Sequence, residues 1–184
     1  KFHDECGVFG IASHTEAARH VYLGLYALQH RGQESTGITS TDGSQLYQHK
    51  GVGYVGDVFT DETLASLTGT SAIGHVRYST TGSSSLANTQ PIVSESSRGP
   101  IAVAHNGNLV NSHRIRRKLE SQGAIFQTTS DTEVILHLLA RSPIEDLDQA
   151  LREVLLQIQG AYSMLLQTPE TLYAIRDPYG VRPL

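Results

Sequence analysis

Cys6 is the only cysteine in the chain and the residue best suited to nucleophilic chemistry. A thiolate attacks carbonyl carbon readily, but a free thiol is mostly protonated near neutral pH and needs an activating group. The opposite interpretation is structural, because free cysteines are among the most buried residues of folded proteins. Residue type alone leaves both interpretations open.

Residues 51–56 (GVGYVG) match the glycine spacing of dinucleotide-binding loops. That spacing indicates such a loop only when a buried strand precedes it and an acidic residue follows about 20 residues later. Here residues 46–50 are largely polar, and residues 70–81 contain no acid. We therefore predict a glycine-rich loop that binds no nucleotide.

Basic residues and histidines give no sign of a nucleic-acid or metal site. Arg114, Arg116, Arg117 and Lys118 form one basic cluster, which a helix would place mostly on its solvated side. The net charge of −4 also disfavours a nucleic-acid binder. The nine histidines show no HExxH motif and no paired Cys/His spacing, so we expect no metal ion.

Length and composition indicate a single domain without a membrane segment. The chain has 184 residues, of which 39% are hydrophobic and 17% charged, as is usual in globular domains. No apolar run reaches the roughly 18 residues needed to cross a bilayer. One cysteine excludes a disulfide within the chain and fits a reducing compartment, so we expect cytoplasmic localisation.

Periodicity and turn residues predict an α+β domain. We expect strands at 7–12, 35–41, 45–50, 72–78, 91–94, 100–105, 162–167 and 172–176. We expect helices at 15–30, 60–67, 111–122, 130–141 and 147–159. Thr15 is a candidate helix cap, and Ser130 and Glu133 have capping-box spacing. Asp42-Gly43 and residues 96–99 are predicted turns between paired strands. Because the strands are short and mostly joined by tight turns, the sheets should be antiparallel.

Six segments occur in the order in which the amidophosphoribosyltransferases carry similar ones. They are Cys6-Gly7-Val8-Phe9-Gly10, 28–35 (LQHRGQES), 73–82 (IGHVRYSTTG), 104–109 (AHNGNL), 129–133 (TSDTE) and 177–184 (DPYGVRPL). The chain therefore resembles this family of class II glutamine amidotransferases, which are N-terminal-nucleophile hydrolases. Glucosamine-6-phosphate synthases and asparagine synthetases share the Cys-Gly start and an Asn-Gly pair but carry shorter Arg-Gly variants of the second segment. The resemblance implies a four-layer αββα sandwich with two antiparallel sheets.

The resemblance also implies a glutaminase reaction at Cys6. The thiol would attack the δ-carbonyl of glutamine and form a γ-glutamyl thioester, with the α-amino group of the same residue as the base. An α-amino group has a pKa of about 7.7, so much of it is unprotonated near neutral pH. Asn106 and the backbone N–H of Gly107 would form the oxyanion hole. The alternative for this pair is a turn, which Asn-Gly also favours.

Charged and polar residues that match the family motifs are implied to bind the substrate. Arg77 would bind the α-carboxylate of glutamine, and Asp131 its α-ammonium group. Tyr78 and Thr80 would be loop contacts to the substrate, and Arg31 would order the surroundings of the nucleophile. The structural alternatives are a surface arginine at a strand edge for Arg77, a first-turn helix acid for Asp131 and an ion pair for Arg31.

A terminal-amine mechanism conflicts with the five residues that precede Cys6. The nitrogen of Cys6 is not basic while an amide bond joins it to Glu5. We therefore expect residues 1–5 to be a propeptide remnant and residues 6–184 to be the glutaminase domain. The domain should become active when Cys6 attacks the preceding carbonyl and the bond is cleaved. Residues 78–85, rich in Ser, Thr and Gly, are expected to form a lid over glutamine.

In the family, released ammonia passes to a second domain and displaces pyrophosphate from phosphoribosyl pyrophosphate. The product, phosphoribosylamine, commits material to purine synthesis. The resemblance thus implies glutamine and phosphoribosyl pyrophosphate as substrates, and a phosphoribosyltransferase domain outside these residues. Mg²⁺ is expected in that domain, where some members also hold an iron–sulfur cluster. We expect no cofactor within the present chain and a homo-oligomer for the full-length enzyme.

Two other functions stay open on the sequence alone. The chain could be a glutamine-binding or regulatory module without catalysis, which glutamine binding without glutamate production would indicate. It could also be an unrelated cysteine hydrolase with a histidine base, whose activity would survive a blocked N-terminal amine.

Overall fold

The computed structural model describes residues 6–78 and 85–184. Within these ranges two four-stranded antiparallel sheets pack against each other, and helices cover the outer face of each sheet. The predicted α+β class and four-layer αββα sandwich are confirmed. The predictions made for residues 1–5, for Thr80 and for most of the 78–85 lid lie outside the described residues.

The first sheet brings two predicted site residues together. It contains β1 (Cys6–Ile11), β2 (Ser35–Thr41), β3 (Leu46–Val52) and β4 (Ser71–Arg77), in the spatial order β1-β4-β2-β3. Strands β2 and β3 form the predicted hairpin, in which the Asp42 carboxylate accepts a hydrogen bond from the N–H of Ser44 at 2.8 Å. Pairing of β1 with β4 places Cys6 opposite Arg77.

The second sheet carries the Asn-Gly pair within a strand. It contains β5 (Ile92–Ser96), β6 (Gly99–Leu109), β7 (Gly160–Gln167) and β8 (Leu172–Arg176), which are neighbours in chain order. Strand β6 continues past the predicted end at residue 105. Asn106 and Gly107 therefore pair with Ser163 and Tyr162 of β7 instead of forming a turn.

Helices bury apolar faces on the outside of both sheets. They are α1 (Ala17–Leu28), α2 (Val55–Val58) and α3 (Asp61–Ser66) with the first sheet, and α4 (Ser112–Ser121), α5 (Glu133–Ala140) and α6 (Leu147–Leu155) with the second. Helix α1 buries Val21 and Leu25 completely, at the spacing of one helical face. Gly74 of β4 allows this contact, because a Cβ there would lie 2.5 Å from the Val21 side chain.

A thin apolar layer joins the two sheets. Ile73 of β4 packs with Ala102 and Ala104 of β6 and with Leu165 of β7, and all four are buried. Small side chains at facing positions let the sheets approach at the density usual in protein interiors. The layer therefore fixes the strands that carry the predicted site residues against each other.

Two predicted helix caps are wrong. Helix α1 begins at Ala17, and its N-cap residue is Glu16, which makes no side-chain cap, so Thr15 does not start the helix. Ser130 and Glu133 do not form a capping box. The Glu133 carboxylate instead accepts hydrogen bonds from two backbone N–H groups of the segment before α5, at 2.7 and 2.8 Å. The buried Thr128 N–H would otherwise lack an acceptor, and that need outweighs the local cap.

Helix α6 ends at Leu155, earlier than the predicted end at residue 159. The reason is Asn111, whose side-chain amide donates to the Gln157 carbonyl at 2.9 Å and accepts from the Gln159 N–H at 3.0 Å. An asparagine that offers the backbone such partners competes with helical hydrogen bonding. The chain is thereby turned from α6 into β7.

Arg98, predicted only as part of a turn, ties that turn to the connection between α5 and α6. Its guanidinium donates hydrogen bonds of 2.5–3.0 Å to the carbonyls of Leu139, Ser142, Ile144 and Glu145. A planar group with five N–H donors can satisfy several acceptors at once, and a cation is favoured beside the last carbonyls of a helix. One half-buried side chain thus closes this connection.

We predict that Arg98→Ala lowers the free energy of unfolding by about 2–3 kcal/mol, because hydrogen bonds from a charged donor contribute about 1.5–3 kcal/mol. Arg141→Ala is the matched control, since Arg141 follows the same helix and contacts the Gln122 carbonyl at 3.3–3.5 Å. Urea denaturation measures both variants. An equal loss of stability in the two would contradict the role assigned to Arg98.

Candidate active site

A cleft of about 870 Å³ opens where β1 and β4 lie beside β6 and the start of α5. Six of the residues predicted from the sequence line it: Cys6, Arg77, Tyr78, Asn106, Gly107 and Asp131. They come from both sheets and from the segment before α5. The fold therefore assembles in one place a set that the sequence scatters over most of its length.

Cys6 is half-buried at the first position of β1. Its Sγ lies 3.8 Å from the backbone carbonyl of Tyr78, the residue that follows β4. Arg31 lies directly beside it, with Nε donating to the Cys6 carbonyl at 2.9 Å. The guanidinium thus holds the main chain of Cys6, although Arg31 does not line the cleft.

Gly107 occupies a position that only glycine can adopt without rearrangement. Its φ of +149° is rarely adopted by residues with a side chain, and a Cβ there would lie 2.1 Å from the carbonyl oxygen of Ala161. Asn106 beside it is 4% exposed and lines the cleft. The interpretation of this pair as a turn is wrong, because both residues belong to β6.

Charges of both signs face the cleft. The Arg77 side chain is 16% exposed, and its Nη1 lies 3.8 Å from the Glu34 carboxylate. One oxygen of Asp131, Oδ2, accepts a hydrogen bond from the Leu109 N–H at 2.8 Å. The other, Oδ1, lies 3.7 Å from Nδ1 of His105. Arg77 is thus largely buried in the cleft and is not a surface arginine, whereas Asp131 lies in the cleft just before the first residue of α5.

Two buried histidines, His105 in the lining of the cleft and His75 next to it, are neutral at physiological pH. Nε2 of His75 lies 3.1 Å from the His105 carbonyl, and burial, with nearby His105 and Arg77, lowers the pKa of His75 to about 3. Burial also lowers the pKa of His105, and Arg182 adds to this, although the Asp131 carboxylate acts in the opposite direction. Uncharged imidazoles can occupy this interior because they avoid most of the desolvation cost of an ion.

The sequence did not identify several residues of the cleft, among them Gln90, His105, Arg116 and Arg182. The solvated-side prediction is wrong for Arg116, whose Nε lies 3.0 Å from the Glu120 carboxylate and whose guanidinium stacks 4.1 Å from the centre of the Phe126 ring. Helical spacing was the available signal, because residues 112, 113 and 116 share one face of α4 and all line the cleft. Arg114, Arg117 and Lys118 are exposed, as predicted.

The described part of the chain has neither a membrane-spanning helix nor a group of side chains arranged to hold a metal ion. No helix in residues 6–78 and 85–184 is long and apolar enough to cross a membrane. The same residues contain no cluster of three or more His, Cys, Asp or Glu side chains arranged to hold a metal ion.

Comparison with known proteins identifies close relatives. A model of the glutamine amidotransferase domain family matches residues 75–184. The amidophosphoribosyltransferase of Rhizobium etli is 52% identical over 183 residues, which cover 99% of this chain and 37% of that protein. That of Methanocaldococcus jannaschii is 49% identical, covering 97% of this chain and 39% of the relative. A similar solved structure is that of glutamine phosphoribosylpyrophosphate amidotransferase from B. subtilis, complexed with ADP and GMP, with a TM-score of 0.90 and 46% sequence identity. The match covers 96% of this chain and 38% of that one. The chain thus spans less than two fifths of these relatives.

The neutral histidines predict how stability changes with pH. An unfolded histidine binds a proton below a pKa of about 6.5, whereas folded His75 does so only near pH 3, so the unfolded state holds more protons between these values. The free energy of unfolding should therefore fall as the pH falls from 6.5 towards 5, by about 1.4 kcal/mol per pH unit from His75 alone. His105 contributes in the same direction.

Urea denaturation at several pH values between 7 and 5 measures this slope. His75→Gln keeps an N–H for the His105 carbonyl but does not titrate, so it should flatten the curve. The exposed His30 provides the matched control, His30→Gln. If His75→Gln and His30→Gln have the same slope, His75 is not the group responsible.

Proposed function

The chain belongs to the glutamine amidotransferase domain family, and from this premise we propose that it hydrolyses glutamine to glutamate and ammonia. One observation carries the proposal: a half-buried thiol, an Asn-Gly pair, a guanidinium and a carboxylate line a single cleft. Amide hydrolysis needs a nucleophile, a stabiliser for the oxyanion and groups that hold the substrate, and the cleft contains a candidate for each.

The reaction begins when the Cys6 thiolate attacks the δ-carbonyl carbon of glutamine. The carbonyl electrons move to oxygen, where the side-chain amide of Asn106 and the N–H of Gly107 receive the negative charge. One such donor contributes about 2.7–4 kcal/mol to transition-state stabilisation. Collapse of this intermediate breaks the C–N bond, releases ammonia and leaves a γ-glutamyl thioester, which water then hydrolyses to glutamate and the free thiol.

The base in this scheme is the α-amino group of Cys6 itself. It takes the thiol proton and returns it to the leaving amine, and a pKa of about 7.7 suits both transfers near neutral pH. Support comes from Arg31, which fixes the carbonyl of the same residue at 2.9 Å and so orients its main chain. The amino group exists only when Cys6 is the first residue, so we propose that residues 1–5 are removed.

Substrate recognition follows from the zwitterionic form of glutamine. Arg77 binds the α-carboxylate through its planar fork of N–H donors, and Asp131 binds the α-ammonium group. The position of Tyr78, half exposed at the end of β4 and in the lining of the cleft, suits a loop contact with the substrate. We propose the same role for Thr80, because it belongs to the segment 73–82 that resembles the family motif.

The whole protein would use the ammonia in a second reaction. The relatives of R. etli and M. jannaschii are amidophosphoribosyltransferases, and we propose that ammonia from this domain displaces pyrophosphate from phosphoribosyl pyrophosphate to give phosphoribosylamine. This would be the first committed step of purine synthesis. Mg²⁺, and in some members an iron–sulfur cluster, would belong to the phosphoribosyltransferase part. We also propose a cytoplasmic homo-oligomer.

We predict that Arg77→Ala raises the KM for glutamine, because the substrate α-carboxylate loses its charged partner at a desolvated site, a loss that typically costs about 2–5 kcal/mol. Arg117→Ala is the matched control, since Arg117 is an exposed arginine on α4. Steady-state glutaminase assays compare the two variants. A KM that is unchanged in Arg77→Ala would remove this residue from the substrate site.

We predict that the chain is a glutaminase only when Cys6 carries a free amine. A chain produced with Cys6 as its first residue should release glutamate, and Cys6→Ala in that chain should abolish release. Mass spectrometry establishes whether Glu5 is attached in each sample. Equal rates with Glu5 still attached would falsify the terminal-amine mechanism, and glutamine binding without glutamate release would favour a non-catalytic module.

A further inference from the structure

We propose that Asn88, Gln90 and His105 are positioning residues that hold Asp131 in place and thereby set the preference for substrates with an α-ammonium group. The proposal rests on the function assigned to Asp131 above. None of the three takes part in the reaction proposed for Cys6, Asn106 and Gly107. Two of them, Gln90 and His105, line the cleft. We call these three side chains, together with the hydroxyl of Thr132, the anchor clamp.

Asn88 grips the segment before Asp131. Its Oδ1 accepts a hydrogen bond from the Thr129 N–H at 3.0 Å, and its Nδ2 donates to the Thr129 hydroxyl at 2.9 Å. Asn88 is only 6% exposed, so turning its amide to exchange donor and acceptor would cost free energy, because the buried polar atoms would lose their partners. The two bonds together fix both the position and the rotation of Thr129.

Gln90 and His105 grip the residue after Asp131. The Thr132 hydroxyl, which is fully buried, accepts from Nε2 of Gln90 at 3.1 Å and lies 3.0 Å from Nδ1 of His105. Oε1 of Gln90 in turn accepts from the backbone N–H of His105 at 2.7 Å. Gln90, Thr132 and His105 therefore form a closed ring of hydrogen bonds, and buried polar groups connected in this way are rigid.

Asp131 lies between the two gripped residues and has little freedom left. The Leu109 N–H occupies Oδ2 at 2.8 Å, while Oδ1 faces His105 and the cleft. Because Thr129 and Thr132 are both held, the direction in which the carboxylate projects is fixed before substrate arrives. Such preorganisation increases selectivity, since binding need not order the group first.

The clamp also sets the distance between the two charges that recognise the substrate. Arg77 belongs to the first sheet, whereas Asp131 precedes a helix on the second. Residues 88–91 bridge them: Nζ of Lys50 on β3 donates to the Thr89 carbonyl at 3.0 Å, and Nε2 of Gln48 donates to the Pro91 carbonyl at 2.8 Å. The side chains of this segment then reach across to residues 129–132.

Residues 88–91 also pack tightly against the first sheet. A Cβ on Gly37 of β2 would lie 2.4 Å from the carbonyl oxygen of Gln90. The ammonium and carboxylate groups of an α-amino acid share one carbon, so their separation is fixed. A site that recognises both groups therefore needs Arg77 and Asp131 at a fixed separation, which the bridge provides.

The test compares glutamine with 4-carbamoylbutanoate, which is glutamine without its α-amino group. In the full-length protein with Cys6 first, kcat and KM are measured for both substrates. Thr132→Val removes the hydroxyl that joins Gln90 to His105 with little change of shape, and Thr132→Ser restores that hydroxyl. We expect Thr132→Val to raise the KM for glutamine about 10- to 100-fold, since a displacement of about 1 Å can cost 10²-fold.

The same variant should leave the rate with 4-carbamoylbutanoate near that of the wild type, so the preference for glutamine collapses through KM and not through kcat. Thr132→Ser should recover the preference. Asn88→Asp, which keeps the acceptor for the Thr129 N–H, should act in the same direction more weakly, and it keeps the test available if Thr132→Val does not fold. Gln167→Ala is the matched control, because Gln167 is a buried glutamine that bonds to Ser71 at the far end of β7.

Asp131→Asn separates the clamp from the function on which it rests. If Asp131→Asn abolishes the preference but Thr132→Val and Asn88→Asp retain it, the clamp is overturned and the function of Asp131 stands. If Asp131→Asn retains the preference for glutamine, both the clamp and the function assigned to Asp131 are overturned. Equal losses for the two substrates in Thr132→Val, as in Gln167→Ala, would reduce the clamp to ordinary structural support and overturn the proposal.

Discussion

Backbone pairing between β1 and β4 holds Cys6 directly opposite Arg77, and the remaining contacts of the cleft are arranged around this pair. Register in such a sheet is sharply specified, because a shift by one residue would exchange the side chains that face the helices with those that face the second sheet. Residues 29–32, which directly follow α1, hold this register at the ends of the two strands. Arg31 binds the Cys6 carbonyl, and a Cβ on Gly32 would lie 2.8 Å from the backbone of Arg77.

The second sheet completes the site only because the two sheets pack closely. Ile73 and the small residues Ala102 and Ala104 bring β4 and β6 together, and β6 then presents Asn106-Gly107 beside the thiol. Gly107 is required at this point for steric reasons, since its neighbour on β7 leaves no room for a side chain. The packing of this apolar layer between the sheets thus positions the Asn106-Gly107 pair in the cleft.

The interior around His105 is polar, and hydrogen bonds connect its uncharged side chains. His75 reaches the His105 carbonyl, while Gln90 and Thr132 occupy the N–H and ring nitrogen of the same residue. A buried network of this kind favours a single arrangement, since breaking any of these bonds leaves a further buried donor or acceptor unpaired. The position of Asp131 therefore depends on the hydrogen bonds of this network and not only on the local conformation of residues 129–132.

The sequence by itself determined the fold class, most element positions and six of the cleft residues, because hydrophobic periodicity, Asp-Gly turns and family motifs are local patterns. The strand at 35–41, the hairpin at Asp42-Gly43 and the helix at 60–67 follow from such patterns and are confirmed. Only the tertiary structure decided what Arg98, Glu133 and Gln90 do. Arg98 reaches the α5–α6 connection, Glu133 accepts from N–H groups before its helix, and Gln90 joins β6 to the residue after Asp131. These partners are chosen by burial, because a polar group removed from water takes the nearest available donor or acceptor, and which one is nearest depends on how distant segments pack.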